Sequence, residues 1–234
     1  MLTLTLLILA LAPGIMIIIY IYLKDIHEPE PFSQLALGFG LGILSMLLAT
    51  GITYLIYDKI HFDDHSMSDM AIKAFLIVAL VEELSKYLFI RGVLFRSSHF
   101  NEPFDGIIYA VMVGMGFALT ENLIYVFKGG GGTAIVRMFT AVPAHALFAV
   151  IMGFFLGEAK LEHKHTLLYS VIALIIAILL HGIYDYFLFI SFIPGLWMGA
   201  VVSLIIGYWF SHKAMEIHQD ASPFKPEEQT DSNM

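Results

Sequence analysis

Residues 166–190 read TLLYSVIALIIAILLHGIYDYFLFI, an almost unbroken apolar run that carries His181 and Asp185. A helix crosses the roughly 30 Å of bilayer hydrocarbon with about 20 apolar residues, so this stretch is long enough to span. It lacks the apolar–polar alternation of a barrel strand. An ionisable side chain at the centre of such a segment costs about 2.5–3.5 kcal/mol by insertion scales. His181 and Asp185 lie four residues apart and share one helix face. The segment therefore reads as a membrane span with a polar task.

Six further windows of the same kind lie at 2–23, 33–57, 70–95, 104–127, 134–157 and 194–211. The sequence predicts an all-α, polytopic transmembrane helical bundle of about seven spans. Composition agrees: 59% of the 234 residues are hydrophobic and 14% charged, against about 25% charged in a soluble domain. The net charge of -8 offers no basic surface to phosphates, so nucleic-acid binding is excluded. With no Cys, thiol catalysis and thiolate metal sites are excluded too. Any metal must be held by nitrogen and oxygen.

The first window could be a cleaved signal peptide, with Ala10-Leu11-Ala12 as the cleavage site. No positive charge precedes it, Pro13 would follow the cut, and the apolar run continues to Tyr22, so it is read as a retained span. The positive-inside rule then orients the bundle. With the N-terminus outside, Lys24, Arg91, Arg96, Lys160, Lys164, Lys213 and Lys225 are cytoplasmic, and Lys59, Lys73, Lys128 and Arg137 are external. The expectation is N-out, C-in, with one transmembrane domain over 1–211 and a disordered cytoplasmic tail over 212–234. Gly129 to Gly132 reads as a flexible external turn, and Gly38 with Gly42 as a close helix-packing face.

Away from the window ends, the only acidic residues are Glu82, Glu83, Glu121 and Asp185, the only histidines His145 and His181, and Lys86 joins them. At 1.5 Å per residue, Glu82, Glu121, His145, His181 and Asp185 fall roughly 8 to 18 Å below the outer surface. They form one layer drawn from four helices. Glu82 pairs in register with Lys86, and Glu121 with Tyr125. Glu82 and Glu83 point about 100° apart, so one faces a reaction and the other a neighbour. Two imidazoles and a carboxylate, with a further Glu to polarise water, are the ligand inventory of a catalytic zinc site. Hydrolysis within the membrane is the chemistry this suggests.

Glu82-Glu83-Leu84-Ser85-Lys86, Asp105-Gly106, Glu121-Asn122-Leu123-Ile124-Tyr125, His145-Ala146-Leu147 with Gly153, and His181-Gly182-Ile183-Tyr184-Asp185 together resemble the successive motifs of the PrsW family of intramembrane proteases. Ala12-Pro13-Gly14, Tyr22-Leu23-Lys24-Asp25 and Glu28-Pro29 extend the resemblance to residues 12–190. It implies a multi-pass protease of the bacterial cell membrane, in the wider superfamily of the CAAX prenyl endopeptidases. Such an enzyme makes the first cut in a single-span anti-sigma factor during envelope stress. By position, the resemblance makes Glu82, Glu83 and His181 essential, with His145 and Asp185 supporting; Lys86, Asn122 and Tyr125, which share the layer's helix faces, are read as support beside them. Two mechanisms stay open. In one, His145, His181 and either Glu121 or Asp185 bind Zn2+ while Glu82 activates water. In the other, Glu82 and Glu83 activate water without metal, and His181 with Asp185 stabilises the oxyanion. A proton-coupled transporter or a CAAX-type processing enzyme is the competing reading, although inverted repeats with broken helices are not seen.

Overall fold

The computed structural model describes residues 2–162 and 164–226, and among these it is helical with no strand. The order is α1 (Leu2–Lys24), α2 (Phe32–Tyr57), α3 (Met67–Ile72), a π-helical stretch (Lys73–Ala79), α4 (Leu80–Gly92), a 3-10 turn (Leu94–Arg96), α5 (Pro103–Phe139), α6 (Ala141–Leu161), α7 (Thr166–Phe189) and α8 (Met198–Asp220). Among the described residues four stretches are long and apolar enough to cross a membrane: Leu4–Lys24, Phe32–Tyr57, Pro103–Leu161 and Thr166–Phe189. The windows at 70–95 and 194–211 fall short of that measure. Glu82, Glu83, Lys86 and Arg91 interrupt the first, and α8 becomes polar from Ser211 onward.

α5 is the axis of the bundle. Every residue from Pro103 to Leu119 is buried, because α1, α2 and α6 surround it on all sides. A helix apolar on every face is stable only in such a position. Its start is fixed by Pro103 in the first turn and by a capping box in which the Glu102 and Asp105 side chains accept from each other's backbone N–H.

Glycines set the spacing of these helices. Gly42 of α2 faces the backbone of Val113, Gly116 and Phe117, and Gly116 faces the Phe39 carbonyl. The helix-packing face expected at Gly38 and Gly42 is therefore the α2–α5 contact. Gly106 meets Gly153 and Gly157 across α5 and α6 in the same manner.

Two expectations are corrected. The glycine run at 129–132 is not a free turn: helix continues on both sides, broken at Gly130, whose φ of 73° is open to glycine but strained for other residues. The chain then doubles back over the end of α5, and α6 begins only at Ala141 rather than near 134. The tail also begins later than residue 212. α8 continues to Asp220, where fully buried His218 meets Glu158 at 3.1 Å and stacks on Phe154, and Gln219 donates to the Lys24 carbonyl at 2.5 Å. These polar contacts hold a segment too hydrophilic to read as a span. Residues 227–234 of the expected tail lie outside the described residues.

Gly42→Ala places a methyl group against backbone that cannot yield. We expect a loss of about 1–3 kcal/mol, the usual range for overpacking, seen as a lower melting midpoint in detergent. Gly40→Ala, which meets nothing within 4 Å, should leave the midpoint unchanged or slightly higher.

Candidate functional site

Glu82, Glu83 and Lys86 enter from α4, Glu121 from α5, His145 from α6, and His181 and Asp185 from α7. The seven meet around one cavity of about 880 Å³ or in the wall behind it. The layer read from the sequence is thus a single site. His145 reaches it from the second turn of α6, not from mid-helix.

Glu83 is the anchor. Only 1% exposed, it accepts from Lys86 Nζ at 2.7 Å and from His181 Nδ1 at 2.7 Å. Lys86 is thus tied chiefly to Glu83, three residues away, while its separation from Glu82 is 3.9 Å. The expected Glu82–Lys86 pairing is the weaker one. Lys86 also lies 4.1 Å from the centre of the Phe117 ring, and its Nζ approaches His145 Nδ1 at 3.1 Å. An ammonium can only donate, so His145 Nδ1 accepts and the ring carries its proton on Nε2. That N–H faces Glu121 Oε2 at 3.3 Å.

The ring of His181 is held on three sides: Glu83 at Nδ1, Asp185 Oδ2 at 3.3 Å from Nε2, and the face of Phe148 at 5.0 Å between centroids. Glu82 differs from its neighbour. It lines the cavity, and its Oε2 is buried with no hydrogen-bond partner. Of the two adjacent glutamates, Glu82 faces the open space and Glu83 the wall.

The sequence places Arg137 among the external cations, yet in the structure it points into the site. Its Nη2 donates to Glu121 Oε2 at 2.5 Å, its Nε donates to Asn122 Oδ1 at 2.8 Å, and its guanidinium lies 4.1 Å from the Tyr125 ring centre. Asn122 in turn donates to the Ala10 carbonyl at 2.9 Å. Asn122 and Tyr125 therefore hold Arg137, and through it Glu121. The signal was the break at Gly130, which folds residues 131–139 back onto α5 and cannot be read from four consecutive glycines.

Among the described residues Glu82, His145 and His181 each offer a ligand atom within 4.8 Å of the other two. The sequence offers Glu121 or Asp185 as the carboxylate beside the two imidazoles; in the structure Glu121 is engaged by Arg137, and Glu82 is the carboxylate with an atom within 4.8 Å of one on each ring. Two imidazoles and a carboxylate fit a zinc ion in donor type and number. Glu83, accepting from His181 Nδ1, is the kind of carboxylate that commonly orients such a ligand from its far side.

Residues 30–210 match the family described as PrsW family intramembrane metalloprotease. The chain is 36% identical over 177 residues to Protease PrsW of Geobacillus kaustophilus, covering 76% of each chain. It is 35% identical to Protease PrsW of Oceanobacillus iheyensis, over 68% of this chain and 72% of the relative. Protease PrsW of Bacillus subtilis is 34% identical over 71% of this chain and 74% of its own. No solved structure matches the chain.

Arg137→Gln removes the cation that ties residues 131–139 to α5. The lost charge-assisted hydrogen bonds are worth roughly 1.5–3 kcal/mol each. Hydrogen exchange should therefore quicken across 128–140 and stay slow in Pro103–Leu119. Unchanged protection across 128–140 would mean that the fold-back stands without this side chain.

Proposed function

The chain belongs to the PrsW family of intramembrane metalloproteases, and on that premise we propose that the polar layer hydrolyses a peptide bond with Glu82 as proton acceptor for the attacking water. Membrane residence and protease activity come with the family. The observation that carries the catalytic reading is the unpartnered Oε2 of Glu82, set in the cavity wall beside two imidazoles.

A water entering the cavity finds in Glu82 an acceptor that no protein donor occupies. Glu83 cannot serve in its place, since Lys86 and His181 engage it and the wall encloses it. Its part is to fix the His181 ring so that Nε2 is directed away from the anchor, toward Asp185. Lys86 and Arg137 bring positive charge to the same layer, which favours an anionic tetrahedral intermediate over the neutral peptide. Glu121, neutralised by Arg137, keeps His145 in the tautomer described above.

Glu82, His145 and His181 are the residues that would hold a zinc ion, His145 through the Nδ1 lone pair that otherwise accepts from Lys86. A carboxylate has two oxygens, so Glu82 can meet the ion with one and the water with the other. When bound, such an ion polarises the water and the scissile carbonyl.

The substrate we infer is a single-span membrane protein of the anti-sigma factor type, cut once in the outer half of a bacterial cell membrane. The cavity supports a membrane-borne substrate, since α2 contributes Met46, Ala49 and Thr53 to one wall and α7 contributes Leu188 and Phe189 to another. An extended peptide can lie between them. The bacterial relatives support the location. With Arg137 turned into the site, the external loops retain fewer cations than the sequence count assigned them, which favours the N-out, C-in orientation.

Glu82→Gln keeps the shape but cannot accept a proton, so cleavage of a single-span reporter should fall by about 10²–10⁴ while the protein stays folded. Normal cleavage by a folded Glu82→Gln protein would remove Glu82 from this role. Elemental analysis should find about one zinc per wild-type chain and much less in His145→Ala and His181→Ala, because each loses a ligand. A metal-free wild type that still cleaves would exclude the ion. Labelling of single cysteines should place residue 63 outside and residue 162 inside. The reverse placement would move the polar layer to the cytoplasmic half.

A further inference from the structure

We propose that a hard divalent cation binds at the end of the bundle opposite Glu82, among carboxylates of the α1–α2 loop (Asp25, Glu28 and Glu30) and the start of α5 (Glu102 and Asp105). Sixteen residues of α5 separate Asp105 from Glu121, roughly 24 Å at 1.5 Å per residue. The two sites share no side chain.

Four of the five carboxylates are buried: Asp25 and Glu30 at 3% exposure, Glu102 at 1% and Asp105 at 0%. Their hydrogen bonding follows one pattern. Asp25 Oδ2 accepts from the Glu30 backbone N–H at 3.0 Å. Glu30 Oε2 accepts from the Tyr109 hydroxyl. Asp105 Oδ2 accepts from the backbone N–H groups of Asn101 and Glu102 at 2.7 and 2.8 Å. In each of the three, the second oxygen (Asp25 Oδ1, Glu30 Oε1 and Asp105 Oδ1) is buried with no N–H or hydroxyl donor, and the carboxyl groups face one another, Glu30 against Asp105 and Asp25 against Glu102. The protein satisfies one oxygen of each carboxylate and leaves the other to something else.

Glu28, Glu30 and Asp105 each offer an oxygen within 4.8 Å of the other two. Oxygens bound on opposite sides of one calcium ion, at about 2.3–2.6 Å each, are separated by about that distance. The donors are all oxygen, which selects magnesium, calcium or manganese over the softer ions. The imidazoles of His99 and His27 stand near Glu30 and Glu102, but no permanent cation neutralises the charge. Among the described residues no Lys or Arg ion pair reaches any of the five, and nearby Lys160 is engaged by the carbonyls of Phe95 and Ser97. Burial, with the neighbouring carboxylates, pushes Asp25 up to about 7 and raises Glu30 and Glu102 as well. A cation relieves that burden, and since Ser222 donates to Glu102, it would clamp the α1–α2 loop and the segment after α8 to the foot of α5.

The test is titration of full-length protein in detergent at pH 8 with Mn2+, followed by electron paramagnetic resonance. One saturable Mn2+ site is expected, displaced by Mg2+ or Ca2+. Asp105→Asn should abolish it. Glu28→Gln, at a side chain that is only half-buried and carries none of the packing, should weaken it at least tenfold and remain folded even if Asp105→Asn does not. His181→Ala should retain the site, which separates it from the catalytic layer. Absence of saturable binding in wild type would overturn the proposal, as would binding kept in Glu28→Gln but lost in His181→Ala. Uptake of protons alone, with no cation bound, would show that the carboxyl groups share protons and would equally overturn it.

Discussion

A carboxylate buried among apolar helices survives only where opposite charge and hydrogen bonds surround it. Glu83 meets that condition through Lys86 on its own helix and His181 on α7, and much else in the structure follows from it. Lys86, drawn to Glu83, is placed within reach of His145 and over the Phe117 ring. His181, drawn to the same carboxylate, is oriented with its other nitrogen toward Asp185. One buried anion thereby positions groups from α4, α6 and α7, and leaves Glu82, one residue earlier, free to face the cavity.

The outer margin of the layer is built differently. Arg137 reaches Glu121 because the backbone breaks at Gly130 and the following turns fold back on α5. A π-helical stretch, which takes more residues per turn than an α-helix, runs from Lys73 to Ala79 and leads into the helix that carries Glu82 and Glu83. Such irregular helix is often found at functional sites in place of regular α-helix.

How far the sequence reveals this depends on the physics behind each feature. The apolar runs of α1, α2 and α7 are legible to within a residue or two, since hydrocarbon thickness dictates their length. The layer of Glu82, Glu83, Glu121, His145, His181 and Asp185 is legible because charge is rare there. Depth along each helix could be counted from the apolar runs, but which glutamate turns inward depends on Lys86 choosing Glu83. Arg137 escaped because its role depends on a fold-back that local pattern does not encode. The acidic groups at the foot of α5 escaped for another reason: Asp25, Glu30 and Glu102 lie outside the apolar windows, where carboxylates are ordinary. Only burial makes them unusual. The last turns of α8 were hidden because docking through His218 and Gln219 leaves no apolar signature.

The glycine contacts of α5 have a mechanical consequence. Where Gly42 meets Gly116, and Gly106 meets Gly153 and Gly157, backbone lies on backbone with no side chain between. Side chains can change rotamer and absorb a small displacement; peptide planes in contact cannot. Gly114 continues the seam against Ala149 and the His145 carbonyl, so α5 and α6 are locked in register up to the turn that bears the imidazole. Glu121 and His145 accordingly belong to one stiff body, and any displacement between that body and α7 is registered directly as a change in the gap between the two histidines.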